Sequence, residues 1–400
     1  MERIVVIGAG QAGASLVAKL RAEGFGGTIT LIGSEPVLPY QRPPLSKAYL
    51  LGDMALDRLF LRPAQFYADQ HIDLRLGQAV SAIDRAARHV HLADEVLPYD
   101  ALALTTGSTP RRLPAAIGGA LPGVHLVRDL ADVDAMGPEF RAGARVVIVG
   151  GGYIGLEAAA VAAKRGLDVT VLEMAPRILA RVAAPETSDA IRALHQSQGV
   201  KILEMTGLER VLGTDRVTGV RLSDGTDLPA DFVIAGIGIL PATALAEAAG
   251  LTLDNGIAVD AQGRTSDPAI WAAGDCASFP WRGGRLRLES VQNAIDQAEL
   301  VAGNMLGAER AYAPIPWFWS DQYDMKLQIA GLNMGYDQVV VRDGPARSHW
   351  YFGAGQFLAV DAMGDPRAFM VGKRLLEQGI SPAPAQVADP ATDLKTLLPR

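Results

Sequence analysis

The sequence predicts an α/β fold in which one strand–turn–helix–strand unit occurs twice, followed by a smaller C-terminal α+β region. Three observations carry this reading. The β-branched run Ile4-Val5-Val6-Ile7 is echoed by Val146-Val147-Ile148-Val149. Each run leads into a glycine turn, Gly8-Ala9-Gly10-Gln11-Ala12-Gly13 in one copy and Gly150-Gly151-Gly152-Tyr153-Ile154-Gly155 in the other. Each turn opens a helical stretch and then a second strand that ends near an acid, Glu35 or Glu173.

Short continuous apolar runs are what strands covered on both faces require. The first copy continues with a helix through Leu20 and a strand over 28–32, and the second with a helix to about Arg165 and a strand over 168–172. A lone GxGxxG is weak evidence, but here strand, helix and terminal acid are all in place. Glu35 lies 22 residues after Gly13, and Glu173 lies 18 after Gly155. The spacing characteristic of Rossmann-like dinucleotide-binding units is about 20. Gly8, Gly10 and Gly13, like Gly150, Gly152 and Gly155, let the backbone approach a pyrophosphate at a helix N-terminus. The alternative is a pair of glycine turns in an α/β fold that binds no nucleotide. A carboxylate at Glu173 accepts hydrogen bonds from a ribose diol and repels a 2′-phosphate, which favours NADH; Arg177 and Arg181 nearby leave NADPH open.

Between the copies, residues 78–98 alternate as a small set of antiparallel hairpins, and 99–104 return as a strand ending at Thr105-Thr106-Gly107. Pro110 and Pro114 make 107–115 a linker, and a second crossing follows the strand 232–235. Beyond residue 310, segments 326–330, 338–342, 349–352 and 357–362 read as antiparallel strands, with a helix over 366–378. Trp317, Trp319, Trp350, Tyr351 and Phe352 supply an aromatic core, and the Pro/Ala-rich tail from Ser381 is expected on the surface. The implied domains are 1–107 with 237–312, then 108–236, then 313–400.

Bulk properties set limits. Four hundred residues exceed one hydrophobic core at about 150 residues per domain. A net charge of −7 offers no basic excess for nucleic acid. The single cysteine, Cys276, forbids an intrachain disulfide and thiol-pair chemistry. It is expected to be a small buried residue. Neither a signal peptide before Ile4 nor a membrane-spanning run is legible, so a cytoplasmic protein is expected. No metal site is expected.

Two later motifs complete a flavin site. The small-residue strand Trp271-Ala272-Ala273 ends in Gly274-Asp275, where an Asp meets the ribityl chain of FAD in flavoproteins of this type. Alone, it reads as a turn Asp capping a helix. Glu289-Ser290-Val291-Gln292-Asn293-Ala294-Ile295-Asp296-Gln297-Ala298 reads as a helix start, whose N-terminus stabilises a reduced flavin ring; the plain alternative is a surface helix. The first Rossmann unit thus takes FAD, and the second, inserted between FAD segments, takes NADH.

The sequence resembles the FAD-dependent ferredoxin reductases of bacterial oxygenase systems, a glutathione-reductase-like architecture of two Rossmann-like domains and a C-terminal α+β domain. The most specific segments are Pro39-Tyr40-Gln41-Arg42-Pro43-Pro44-Leu45-Ser46-Lys47 and Pro316-Trp317-Phe318-Trp319-Ser320-Asp321-Gln322-Tyr323. The resemblance implies an enzyme that passes hydride from NADH to FAD and single electrons to a [2Fe–2S] ferredoxin serving an oxygenase. It implies Arg42 along the flavin span, Lys47 near flavin N5, and Thr106 and Gly107 beside FAD. It places Glu157 and Ile154 beside the nicotinamide nucleotide, with Glu289 at the pocket edge. Val291 gives its N–H to the flavin, and Trp319 lies near the ferredoxin. Lys47 and Glu157 carry the catalytic expectation. Plainer readings remain: a solvated lysine, a helix-face carboxylate, a core tryptophan. The partner is expected to be acidic and met by Arg282, Arg285, Arg287 and Lys326. The alternative is an NADH-dependent quinone or monodehydroascorbate-type reductase.

Overall fold

The computed structural model describes residues 1–344 and 346–399. The chain divides into two compact units. One comprises Met1–Gln41, Leu56–Thr109 and Ile239–Pro314; the other comprises Arg42–Ala55, Pro110–Gly238 and Ile315–Arg400. The elements that matter for the sites begin with β1 (Arg3–Ile7), α1 (Gln11–Ala22), β2 (Thr28–Gly33), β3 (Ile72–Leu76) and β4 (Ala101–Leu104). Next come β5 (Val124–His125), β6 (Arg145–Val149), α2 (Tyr153–Lys164), β7 (Asp168–Leu172), α3 (Pro185–Ser197), β8 (Lys201–Leu203) and β9 (Phe232–Ala235). The chain continues through β10 (Ile270–Ala272), α4 (Val291–Met305), β11 (Trp317–Gln322) and β12 (Met325–Gly331). It closes with β13 (Gln338–Arg342), β14 (Arg347–Gly353), β15 (Gln356–Met363) and α5 (Pro366–Glu377).

The first unit holds a parallel sheet in the order β10-β4-β1-β2-β3. Alternate residues of β1 serve different cores. Ile4 and Val6 meet α1 and α4 through Leu16, Val17, Ala298 and Val301. Val5 and Ile7 face Leu102, Leu104, Phe279 and Tyr312. These four of the five β1 residues are at most 5% exposed. Burying each side chain is worth about 1.5–3 kcal/mol, so this short strand has no solvent face to lose. Segments Ala82–Asp84, His89–His91 and Val96–Pro98 form the expected antiparallel set.

The second unit carries a parallel sheet, β8-β7-β6-β9-β5, and an antiparallel one, β11-β12-β15-β14-β13. The latter packs Trp350, Phe352 and Val360 against Phe369, Val371 and Leu375 of α5. This grouping differs from the three-part division read from the sequence. Residues 110–238 and 315–400 fall in one unit because β11 lies against α2: the Phe318 and Tyr153 rings are 4.9 Å apart. Residues 42–55 also group here.

Two sequence expectations are corrected. Trp317 and Trp319 are only half-buried, whereas Trp350, Tyr351 and Phe352 are fully buried. The tail does not lie wholly on the surface: Val387 and Leu394 enter the C-terminal core. Its Pro residues do not prevent this, because Pro384 opens a short helix, Pro384–Ala388. The Arg342 guanidinium anchors the tail by donating to the carbonyls of Val387, Asp389, Pro390 and Thr392. Arg342→Ala is expected to lower stability by about 2–3 kcal/mol, since charge-assisted bonds are lost and four carbonyls lose their donor. Limited proteolysis beyond residue 380 and a melting curve check this; unchanged cleavage and melting would show the anchor to be dispensable.

Among the described residues, no helix is long and apolar enough to cross a membrane, and no His/Cys/Asp/Glu group is arranged to hold a metal ion.

Candidate dinucleotide sites

In the first unit the turn after β1 is shaped by what glycine alone permits. Gly8 has φ +111°, and a Cβ there would lie 2.2 Å from the Thr105 carbonyl oxygen. A Cβ on Gly13 would lie 2.0 Å from the Gly8 carbonyl oxygen, so Gly13 brings α1 hard against the turn. Gly10, the residue before α1, is different: a Cβ there would enter open space. No side chain caps α1, so its first-turn N–H groups point at that space without a side-chain acceptor. A phosphate group fits this arrangement.

Glu35 follows β2, and its carboxylate accepts from the Tyr40 hydroxyl at 2.5 Å. Asp275 accepts from Ser108 Oγ at 2.8 Å, just after Gly274 at φ +81°. Thr106 Oγ1 donates to the Ala242 carbonyl, and Gly107 accepts from the Ala242 N–H, which closes the end of β4. Ser290 caps α4 through the Asn293 N–H, and Val291 is the first helical residue. Glu289 is held by Arg287 at 2.6 Å. Gln297 lies in the helix-start motif but was given no role from sequence: its Oε1 accepts from the Gly274 N–H, while its Nε2 is buried without a partner. Its place one turn after Asn293 on the buried face of α4 was the available signal. Cys276 is fully buried, bonded weakly to the Leu104 and Ala273 carbonyls, and burial pushes its thiol pKa up.

The second unit repeats the turn. Gly150 has φ +111°, and a Cβ there would lie 2.4 Å from the Gly236 carbonyl oxygen; a Cβ on Gly155 would lie 2.2 Å from the Gly150 carbonyl oxygen. Gly152 again faces open space, and α2 again lacks a side-chain cap. Ile154 is exposed at the first turn of α2. Glu173 spans the turn from the end of β7, accepting from the N–H groups of Gly151 and Ala175, each at 2.8 Å. Arg177 is committed to Ser188 Oγ at 2.5 Å and the Ala180 carbonyl.

Arg42 and Lys47 lie in this unit, not with the first sheet. Arg42 donates to the Arg128 carbonyl at 2.8 Å. Lys47 pairs with Glu157 at 3.0 Å and faces Asp321 at 3.7 Å. Glu157, only 3% exposed, also accepts from Ser46 Oγ (2.9 Å) and Ser320 Oγ (2.7 Å). Burial pushes its carboxyl pKa up; Lys47 and the two hydroxyls pull against that. The packing follows from periodicity. Tyr153 and Glu157 are i and i+4 on α2, and they meet Phe318 and Ser320, i and i+2 on β11. Ser46 and Ser320 were not singled out from sequence, although polar residues at alternate positions of an aromatic strand are a legible stripe. Trp319 lies on the other alternation of β11, with its ring 5.7 Å from that of Trp317.

The expected basic cluster is reduced. Arg287 has a side chain 10% exposed and is spent on Glu289 and the Asp275 carbonyl. Arg285 serves Ser278, the Val259 carbonyl and Asp254. Guanidinium donors this occupied by internal acceptors contribute little to a docking surface. Arg282 stays over the Trp281 ring.

Two glycine turns of one geometry, each on its own parallel sheet, define a protein built to hold two dinucleotides. Residues 2–298 match the family described as pyridine nucleotide-disulphide oxidoreductase, and residues 317–398 match the reductase C-terminal family. The chain belongs to this reductase family. It is 46% identical to a ferredoxin–NAD(P)+ reductase of Sphingomonas sp, over 99% of this chain and 97% of that protein. It is 41% identical to putidaredoxin reductase of Pseudomonas putida, over 99% of this chain and 97% of that one. A crystal structure of the covalent putidaredoxin reductase–putidaredoxin complex matches with a TM-score of 0.96 at 41% identity, covering 99% of this chain and 98% of that one.

Proposed function

We infer that the protein is an FAD-dependent ferredoxin–NAD+ reductase that delivers electrons to a [2Fe–2S] ferredoxin serving an oxygenase. The observation that carries this is the end-to-end match to ferredoxin reductases, including a putidaredoxin reductase and the reductase component of an anthranilate 1,2-dioxygenase system. When bound, FAD takes a hydride from the nicotinamide and releases the electrons one at a time.

The residues supply binding, orientation and charge. Gly8, Gly10, Gly13 and Glu35 are assigned to the FAD pyrophosphate and ribose. Thr106, Gly107, Gly274 and Asp275 are assigned to the rest of its chain, and the Val291 N–H to the ring. Gly150, Gly152, Ile154 and Gly155 are assigned to the nicotinamide dinucleotide. Glu173 is assigned to its adenosine ribose and Glu157 to the carboxamide. Lys47 balances the Glu157 charge, so the carboxylate is ready to accept from an amide N–H. The single cysteine, Cys276, is fully buried, so thiol chemistry has neither a cysteine pair nor an accessible nucleophile. We place the reaction in the cytoplasm, where NADH is supplied.

The test is NADH consumption by purified enzyme with candidate [2Fe–2S] ferredoxins, quinones and oxygen as acceptors. Ferredoxin turnover at least tenfold above the others is expected; a preference for quinone would replace this reading with a small-molecule reductase.

We assign the nucleotide choice to Glu173; Arg177 is already engaged, and Arg181 is the other nearby cation. Glu173→Ala is expected to lower the NADH/NADPH specificity ratio roughly ten- to a hundredfold, the value of one charge-assisted hydrogen bond to a ribose hydroxyl. Ratios of kcat/KM measure it, and an unchanged ratio removes Glu173 from the ribose.

A further inference from the structure

Glu157 is the end of a longer chain of buried groups. Ser320 Oγ donates to it, Gln322 Nε2 lies 3.1 Å from Ser320 Oγ, His195 Nε2 lies 2.8 Å from Gln322 Oε1, and Tyr323 Oη lies 3.1 Å from His195 Nδ1. Ser320, Gln322 and His195 have no exposed surface. The direction of every bond follows from the first. An ionised carboxylate only accepts, so Ser320 spends its proton on Glu157 and accepts from the Gln322 amide. The Gln322 oxygen then requires a proton on His195 Nε2. That leaves Nδ1 bare, and the Tyr323 hydroxyl donates to it. Each member therefore points its dipole the same way, toward the carboxylate. The middle member is an amide, so the chain orients and polarises rather than conducts protons.

Three separate segments are held to make this chain. Glu157 is on α2, His195 on α3, and Ser320 and Gln322 are on β11. Tyr323 follows β11 at φ +59°, a left-handed conformation rare for an aromatic residue, with its carbonyl held by Lys164. We propose that His195, Gln322 and Tyr323 are positioning residues that keep Glu157 ionised and aimed for the nicotinamide, so that the C-terminal sheet takes part in reading the nucleotide. This rests on the assignment of Glu157 to the carboxamide. The charged groups facing Glu157 are Lys47 and, behind it, Asp321. Among the described residues, the one titratable group bonded to His195 is Tyr323, and burial keeps the imidazole pKa low.

The test uses the FAD-loaded enzyme with NAD+ as probe. Nitrogen NMR of histidine-labelled enzyme is expected to show His195 neutral with its proton on Nε2; a proton on Nδ1 overturns the chain. NAD+ affinity is then measured against pH for Glu157→Gln, Ser320→Ala, His195→Phe and His195→Gln. Ser320→Ala and His195→Phe are expected to weaken NAD+ about three- to tenfold and to move the acid limb of binding upward by about one pH unit. His195→Gln, whose amide still donates to Gln322, is expected to recover most of the loss. Profiles of Ser320→Ala and His195→Phe that overlay wild type, with Glu157→Gln clearly weakened, overturn the chain while sparing the role of Glu157. A wild-type profile for Glu157→Gln overturns that role and the chain with it.

Discussion

Gly155→Ala is expected to give an enzyme that keeps its yellow flavin and ignores NADH, while Gly13→Ala is expected to emerge without flavin. The methyl group added at Gly155 would sit 2.2 Å from the Gly150 carbonyl oxygen, and that added at Gly13 would sit 2.0 Å from the Gly8 carbonyl oxygen. Both obstacles are backbone atoms of the same turn. Relief requires the helix to withdraw, which takes its first-turn N–H groups away from the phosphates. Neither turn can shift its other end, because Gly8 and Gly150 are packed under the Thr105 and Gly236 carbonyls at φ +111°. A loss of at least a hundredfold in NADH-driven flavin reduction is expected for Gly155→Ala, or about 3 kcal/mol of binding. Flavin absorbance, NADH titration and circular dichroism on both variants separate the sites. NADH binding by Gly155→Ala within threefold of wild type would sink the assignment.

The second large effect concerns pH. Thr187 Oγ1 bridges His349 Nδ1 and Asp361 Oδ2, each at 2.7 Å, and Tyr351 also donates to Asp361. Burial holds the Asp361 carboxyl up at about 6, against an ordinary 3.8, and the His349 imidazole down at about 4, against 6.5. Between about pH 4 and 6 the unfolded pair carries its proton on His349 and the folded pair carries it on Asp361. The proton count is equal, so the pair gives stability no slope there. Asp361 alone contributes stability that is complete below about pH 4 and lost as pH rises through about 6. His349 alone contributes stability that is complete above about pH 6.5 and lost as pH falls through about 4. Asp361→Asn is therefore expected to make stability climb from pH 4 to 6.5 relative to wild type. His349→Leu is expected to make it decline from pH 4 to 6. Each change amounts to about 3 kcal/mol at 1.4 kcal/mol per pH unit. Melting temperatures across pH 4–7 decide; difference curves of the same sign would mean the two groups do not exchange a proton on folding.

The parts of this molecule legible in its sequence are those encoded locally. Ile4–Ile7 with Gly8, Gly10 and Gly13 names strand, turn and helix within one short segment, because glycine geometry and apolar runs are nearest-neighbour properties. Four of the five antiparallel strands of the C-terminal sheet were equally plain from their β-branched and aromatic runs; β11 was not singled out as a strand. Contacts between distant segments were not. Nothing near Lys47 announces that it meets Glu157, since that pairing depends on how 43–47 packs on α2. His195 reads as an ordinary helix residue until β11 sets Gln322 beside it. The basic patch is reduced for the same reason: Arg285 and Arg287 look available in sequence, but tertiary structure brings Asp254, Ser278 and the Asp275 carbonyl to them, which leaves Arg282 and Lys326 exposed. Pro and Ala in the tail suggested exposure, yet burial of Val387 and Leu394 was set by a partner, Arg342, some fifty positions away.

The order of strands in the flavin-type sheet has a consequence for biosynthesis. β10 pairs with β4 across more than 160 intervening residues, and α4 covers the sheet from later still. A ribosome must therefore release about three-quarters of the chain before that sheet can close. The sheet β8-β7-β6-β9-β5 draws all its strands from Val124–Ala235 and can assemble first. An arrested nascent chain ending near residue 260 should shield the later-starting glycine turn from protease while the N-terminal one stays open, which makes FAD loading a late event in the life of each molecule.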